Sequence, residues 1–428
     1  MFEDTSHPAE GRTLLPSLQA IDALSAEQRL EVQAVAQVLP FRVNRYIVDE
    51  LIDWDRIPDD PIFRLCFPHR DMLDPDDFRT IRDLLVAGAT KQQLQECAQG
   101  IRARLNPHPA GQTTQNVPTL DGEAVPGVQH KYRETVLVFP SAGQTCHAYC
   151  SYCFRWPQFV GDRDLRFATR RIDPVLAYLR SKPEVSDVLL TGGDPLVMKT
   201  RVLARTLLPM LDLPSVQTIR IGTKSVAWWP QRFVEDDDAD DLLRLFEKVI
   251  ASGRHLALMA HYSHPRELST PIAQRAIERI RGTGAVIRCQ APLVRHVNAD
   301  SDTWAELWRR QVALGVVPYY MFVERDTGPR HYFEVPLAEA LCIYTGAVSQ
   351  VSGLARTARG PVMSCTPGKA QVLGTMDVAG EKRFLLRFLQ ARDPKWINHV
   401  FTARYDEKAA WLDHLRPCEG ERFEFEAP

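Results

Sequence analysis

The sequence predicts an α/β protein built on a partial parallel (β/α)6 barrel, with a helical region before it and a mixed α+β region after it. Three observations carry this expectation. Short β-branched runs alternate with helical stretches at intervals of about 30 residues, as in the βα units of parallel sheets. Residues 17–110 are mostly helical in pattern, with apolar positions at helical spacing over 29–38 and 75–98. Residues 107–126, rich in Pro, Gly, Thr and Asn, read as the connector between the two.

The expected barrel strands are 135–139, 187–190, 218–221, 255–260, 285–289 and 317–322. The helices between them are expected at 174–180, 202–211, 239–251, 271–281 and 304–314. Beyond the barrel, 335–349 reads as a helix, 384–389 and 423–425 as short strands, and 390–394 as a turn. The organisation is therefore a helical region over 1–128, a barrel over 129–335 and a C-terminal region over 336–428. In barrels of this kind the chemistry sits at the C-terminal ends of the strands.

Composition narrows the function. The 428 residues hold 52 Lys plus Arg against 54 Asp plus Glu, a net charge of −2 that gives no reason to expect a nucleic-acid partner. No apolar run approaches the roughly 18–20 residues that span a bilayer. The start, Met1-Phe2-Glu3-Asp4, has neither the basic nor the apolar part of a signal peptide, and the expectation is a cytoplasmic protein. Nine cysteines scattered over such a chain are not a disulfide framework.

Three of the nine are clustered. Cys146-His-Ala-Tyr-Cys150-Ser-Tyr-Cys153 has the spacing CxxxCxxC and follows the first expected barrel strand. Three thiolates on one loop suit three irons of a [4Fe–4S] cubane, leaving the fourth iron open to an exogenous chelator. Two blander readings stand beside it. The cysteines could hold a structural zinc with His147 as fourth ligand, although zinc motifs usually come as two separated pairs, or they could be unligated thiols. Val188-Leu-Leu-Thr-Gly-Gly-Asp-Pro195 ends the second expected strand. Gly192 and Gly193 would let a ligand approach the backbone; the alternative is an ordinary βα turn.

These motifs, taken in order, resemble a known family. Tyr152 before the third cysteine is similar to the CxxxCxΦC form of the radical S-adenosylmethionine (SAM) superfamily. Cys153-Phe-Arg155, Leu190-Thr-Gly-Gly-Asp-Pro195, Ile219-Arg-Ile-Gly-Thr-Lys224, Pro230-Gln-Arg-Phe233, Ala260-His-Tyr-Ser-His-Pro-Arg-Glu267 and Pro318-Tyr-Tyr320 follow in the order of the lysine 2,3-aminomutase family. The likeness runs from about Gln129 to Lys369, more than half of the chain.

The resemblance implies a partial radical SAM barrel in which the open iron of the cluster binds SAM and yields a 5′-deoxyadenosyl radical. It implies SAM contacts at Gly192, Gly193, Asp194, Thr223, His261 and Gln290. It places Arg155 at the substrate carboxylate, a task that suits a guanidinium. It also implies pyridoxal 5′-phosphate (PLP), bound as a Schiff base on Lys369 with Lys131 near its phosphate, so that an amino group migrates between neighbouring carbons. The implied partners are a small amino-acid-like substrate and a reducing donor such as flavodoxin or ferredoxin. A homo-oligomer is a further expectation.

The chain departs from the family pattern in three places. Only Gly368 remains of the glycine run before the PLP lysine, and Thr366-Pro367 replaces the rest. Arg325 and Val362 stand where lysine-selective members carry two aspartates, with Asp326 one residue away. An arginine there would repel a substrate ammonium and attract an acidic substrate. The C-terminal cysteine-rich zinc site is absent, and only Cys418 remains in that region. Two enzyme readings follow, an aminomutase with PLP and a PLP-independent epimerase, dehydrogenase or other rearranging enzyme. A third reading is a non-catalytic iron–sulfur or zinc protein that binds a partner. The acidic run Glu235-Asp-Asp-Asp-Ala-Asp-Asp241 is expected to cap a helix, and Trp228-Trp229-Pro230 to pack the barrel.

Overall fold

β-branched and aliphatic residues concentrate in the barrel runs named above, and in the computed structural model those runs and 384–389 join strands not expected, over 128–132, 359–364, 368–378 and 400–404, in one eleven-stranded sheet. The structure describes residues 21–108, 113–161 and 165–426. Residues 1–4, read above for a signal peptide, and parts of the 17–110 and 107–126 segments lie outside the described residues.

The strands of this sheet, numbered in chain order, are β1 (Val128–Tyr132), β2 (Thr135–Val138), β3 (Asp187–Leu190), β4 (Thr218–Thr223), β5 (His255–His261) and β6 (Val286–Leu293). They continue as β7 (Val317–Val323), β8 (Arg359–Ser364), β9 (Gly368–Val378), β10 (Glu381–Ala391) and β11 (Val400–Arg404). Each strand neighbours the next in sequence. β2 to β8 run parallel, and the strands at either end of the sheet are antiparallel. β1 and β11 do not pair with each other, so the barrel is open.

The six expected strands are β2 to β7, and the five helices between them lie within a few residues of expectation. A seventh parallel strand, β8, was not expected. Its sequence, Arg359-Gly-Pro-Val-Met-Ser364, begins with two residues that ordinarily break strands, and its pairing with β7 shifts register there. The expected helix over 75–98 is two helices, Pro75–Val86 and Lys91–Leu105. Gly88 ends the first in the left-handed region, and a Thr90–Gln93 capping box starts the second. Residues 423–425 are not a strand. Phe423 and Phe425 stack on one another beside a single helical turn and pack against Phe401. Gln390 and Ala391 belong to β10, and the turn begins after them.

Burial alternates along the barrel strands. In β3 and β4 the outward residues Val188, Leu190, Ile219 and Ile221 are fully buried under the helices, whereas Leu189, Arg220 and Gly222 are half-buried. The inward face is therefore less tightly covered than the outward one, unlike the packed lumen of a closed barrel. Val32, Val35, Phe78 and Ile101 of the helical region share one core with the barrel. Met363, Val372, Phe384, Leu386, Phe388 and Trp411 form a second core behind β8 to β11. Among the described residues no helix is long and apolar enough to cross a membrane.

Candidate active site

The cysteine loop leaves the C-terminal end of β2, and residues far away in sequence hold it. Arg42 Nη1 donates to Thr145 Oγ1 at 2.8 Å and to the Cys146 carbonyl at 2.9 Å. Ser151 donates from its amide to the Leu65 carbonyl at 2.8 Å and from its hydroxyl to the Arg64 carbonyl at 2.6 Å. Tyr152, whose ring is buried, reaches Ser263 Oγ at 3.1 Å. The helical region thus clamps the loop from behind.

Cys146, Cys150 and Cys153 are free and half-buried. Burial pushes the Cys150 thiol up to about 12 and the Cys153 thiol to about 11, so metal binding has to displace their protons. Among the described residues no three His, Cys, Asp or Glu side chains converge as ligands of one ion. A cubane makes a different demand, one thiolate at each of three iron corners. Three unbridged thiols on a pinned loop at a strand end fit that demand.

The Gly-Gly-Asp-Pro turn packs directly onto this loop. Gly192 has φ +145°, and a Cβ there would collide with the Gln144 amide; a Cβ on Gly193 would collide with the Thr145 backbone. The two glycines therefore permit a loop-to-loop contact. Asp194 was expected among the SAM contacts, but its carboxylate is 2% exposed and committed internally. It accepts from Leu196 N at 3.0 Å, Thr223 Oγ1 at 2.8 Å, Lys224 N at 2.8 Å, and Ser225 N and Oγ at 3.0 Å. Thr223, also expected at SAM, is 3% exposed and gives its hydroxyl proton to Asp194. Together they tie the ends of β3 and β4. Asp194→Ala would orphan these buried donors, and urea denaturation is expected to show a loss of about 3 kcal/mol or more.

His261, at the end of β5, stands beside Gln290 in the middle of β6, both half-buried. The Gln290 amide donates to His261 Nε2 at 3.0 Å. Burial, with help from Lys224, lowers the His261 ring to about 3, so it is a neutral polar group. Lys224 forms a buried ion pair with Glu267 at 2.7 Å.

Across the barrel, the start of β9 brings Lys369 to Lys131 of β1. Lys369 Nζ lies 5.0 Å from the Tyr320 ring centroid and 5.8 Å from that of Tyr132. Burial, then the nearby cations Arg220, Lys131 and Arg359, lower its amine to about 7 against the opposing pull of Asp187. Asp187 is itself held by Arg220 at 2.7 Å. Lys131 is lowered to about 8, chiefly by burial, and donates to the Cys365 carbonyl. Gly368 is needed for strand packing, since a Cβ would collide with the Gln390 carbonyl. Lys131, Arg220 and Arg359 therefore offer an anion side-chain charge where a glycine run would offer backbone amides. This donor set and the flanking Tyr320 and Tyr132 rings fit a phosphate-bearing aromatic aldehyde. Arg155, half-buried, stacks over Phe139 with its Cζ 4.4 Å from the ring centroid.

No protein-family model matches the chain. A protein of Aquifex aeolicus that bears the provisional name L-lysine 2,3-aminomutase is 32% identical over 397 residues, 92% of this chain and 93% of its own. The chain belongs to the lysine 2,3-aminomutase family. The L-lysine 2,3-aminomutases of Acetoanaerobium sticklandii and Clostridium subterminale are each 30% identical, over 60% and 54% of this chain and 59% and 52% of theirs. The chain thus spans little more than half of those two relatives. A solved radical SAM methyltransferase from Sphaerobacter thermophilus superposes with a TM-score of 0.39 at 14% identity, over 66% of this chain and 92% of that one, which adds nothing to the sequence relationship.

This member of the aminomutase family is a radical SAM enzyme. The cysteine loop, the Gly-Gly-Asp turn, Thr223 and His261 lie at or just past strand ends, as the sequence suggested, whereas Gln290 and Pro318-Tyr-Tyr320 lie within β6 and β7. Arg42, Ser151 and the Lys224–Glu267 pair were not anticipated. Ser151, Lys224 and Glu267 lay within quoted motifs, but nothing in the sequence indicated what they pair with.

Proposed function

We propose that the protein is a radical SAM isomerase that moves an amino group between adjacent carbons of an amino acid. It would hold a [4Fe–4S] cluster on Cys146, Cys150 and Cys153 and PLP on Lys369. The observation that carries this reading is Lys369. It is a lysine lowered to about 7, beside Lys131, Arg220 and Arg359 and against two tyrosine rings, in the same barrel that presents the cysteine loop.

When bound, the cluster held by Cys146, Cys150 and Cys153 would supply the electron that cleaves SAM, and PLP held by Lys369 would supply the electron delocalisation for migration of nitrogen. The chain does the rest. Arg42 and the 64–65 backbone keep the three thiols on one loop. His261, at the end of β5, and Gln290, within β6, offer polar contacts to SAM. Lys131, Arg220 and Arg359 neutralise a phosphate. Lys369, largely unprotonated just above neutrality, is competent to condense with an aldehyde. Arg155 is free to take the substrate carboxylate, and a low-potential donor such as flavodoxin or ferredoxin would reduce the cluster.

The test is anaerobic. Protein reconstituted with iron, sulfide and PLP is given SAM, reductant and pooled amino acids. The expected products are 5′-deoxyadenosine and a β-amino acid, from protein with a near-visible band that borohydride bleaches. 5′-Deoxyadenosine without that band, and without PLP by mass spectrometry, would instead favour the PLP-independent enzyme.

A further inference from the structure

Beyond Lys131 and Arg220, the sheet gathers a second set of cations around one tyrosine ring. Arg288 stands on β6 two residues before Gln290 and on the same face, since Ile287 and Cys289 between and before them are buried on the other. It is half-buried, with its Cζ 5.3 Å from the Tyr319 ring centroid. Arg359, exposed at the start of β8, comes to the same ring with its Cζ 5.9 Å from that centroid. Arg387, half-buried on β10, is joined to them through Gln371. Its Nη2 donates to Gln371 Oε1 at 2.9 Å, and Gln371 Nε2 donates to the carbonyl of Gly360, the residue after Arg359, at 3.3 Å.

No acid answers these charges. Among the described residues no carboxylate lies within ion-pair distance of Arg288, Arg359 or Arg387; Asp187 is taken by Arg220 at 2.7 Å and Glu381 by Arg383 at 3.4 Å. Arg387 Nε is buried without a hydrogen-bond partner. Lys369, 5.0 Å from the Tyr320 ring centroid, adds its charge from the far side of Arg359, whose Cζ is 5.9 Å from that same centroid. Tyrosine rings hold guanidiniums in place without neutralising them. Like charges gathered in this way repel one another, and a bound anion relieves the repulsion.

We propose that Arg288, Arg359 and Arg387 form an anion subsite that holds a phosphate group beside Tyr319, apart from the phosphate gripped beside Lys369. Arg359 borders both sites, because it touches the Tyr319 ring on one and the Tyr320 ring on the other. Phosphate suits the donors better than a carboxylate does. Guanidiniums from three strands offer more N–H groups than two oxygens in one plane accept, whereas a phosphate presents three terminal oxygens in different directions. The source of that phosphate is either the free anion or an ester carried by a small molecule. The subsite does not depend on whether Lys369 carries PLP, so the inference goes beyond the aminomutase reading.

Calorimetric titration of the reconstituted, PLP-saturated protein in phosphate-free buffer tests this with inorganic phosphate and with adenosine 5′-monophosphate. One equivalent of at least one of them is expected to bind. Tighter binding of the first supports a free anion at the subsite, and tighter binding of the second supports an ester. Arg288→Gln and Arg387→Gln are each expected to weaken that binding at least about tenfold while PLP content, read by absorbance, stays that of the parent. Circular dichroism checks the fold of both variants, and either one alone carries the test. The inference is overturned if neither anion binds, if the variants bind as tightly as the parent, or if they lose PLP in step with phosphate, since the arginines would then serve the cofactor alone. Its failure is separable from that of the aminomutase reading. Protein that retains no PLP should still bind phosphate at a site that Arg288→Gln weakens and Lys131→Gln leaves unchanged.

Discussion

Lys369→Ala protein, loaded with iron and sulfide and offered PLP, is expected to show no borohydride-sensitive near-visible band and to lose amino migration by a factor of at least about 10³. Lys369→Arg should behave the same way, because a guanidinium stays protonated and cannot condense with an aldehyde. Cluster assembly should survive both changes, since Lys369 takes no part in holding the cysteine loop. The wild-type amine titrates near 7, so PLP retention should fall as the pH drops through that value.

The same group shapes stability. Its folded pKa lies below that of an ordinary lysine, so between about 7 and the usual lysine range the unfolded chain binds more protons than the folded one. Stability of the PLP-free protein should therefore rise with pH across that window and level off below about 7. Lys369→Met should flatten the slope, as urea denaturation at a series of pH values would show. A slope of equal size in that variant would mean that Lys131, lowered to about 8, or another group carries the effect.

Replacing Cys146, Cys150 and Cys153 together by alanine should abolish iron binding and drop 5′-deoxyadenosine below detection, while circular dichroism remains that of the parent. The fold should tolerate this because the contacts pinning the loop come from Arg42, Leu65 and Ser263 and engage backbone or neighbouring side chains rather than the thiols. Each single replacement should be nearly as damaging, because a cubane held by two thiolates has two open irons. Metal analysis separates the zinc alternative: about four irons and four sulfides per chain fit a cubane, whereas one zinc does not.

Much of this was legible from residue order. The runs at 187–190 and 317–322 are mostly aliphatic or aromatic, with Gly192 soon after the first and Gly315 just before the second, so β3 and β7 could be placed within a residue or two. β8 was hidden because Gly360 and Pro361 imitate a loop. Phe423-Glu-Phe425 imitates strand alternation, yet its rings stack on one another, which side chains on one face of a turn can do. The site divided in the same way. The cysteines, Lys131 and Lys369 are visible as motif positions, but the proximity of the two lysines depends on β1 and β9 facing one interior across more than two hundred residues. Asp194 read as a ligand contact because its motif says so. Its burial appears only once Thr223, Lys224 and Ser225 return to it from β4.

One measurement bears most directly on the central claim, that the loop at the end of β2 carries a SAM-cleaving cluster. Anaerobically reconstituted wild-type protein is reduced with dithionite, mixed with SAM and assayed for 5′-deoxyadenosine and methionine by mass spectrometry, beside the triple Cys→Ala variant. The account predicts both products from the wild type and neither from the variant. Intact SAM in the presence of a fully loaded, reduced cluster, or cleavage by the variant, would contradict it.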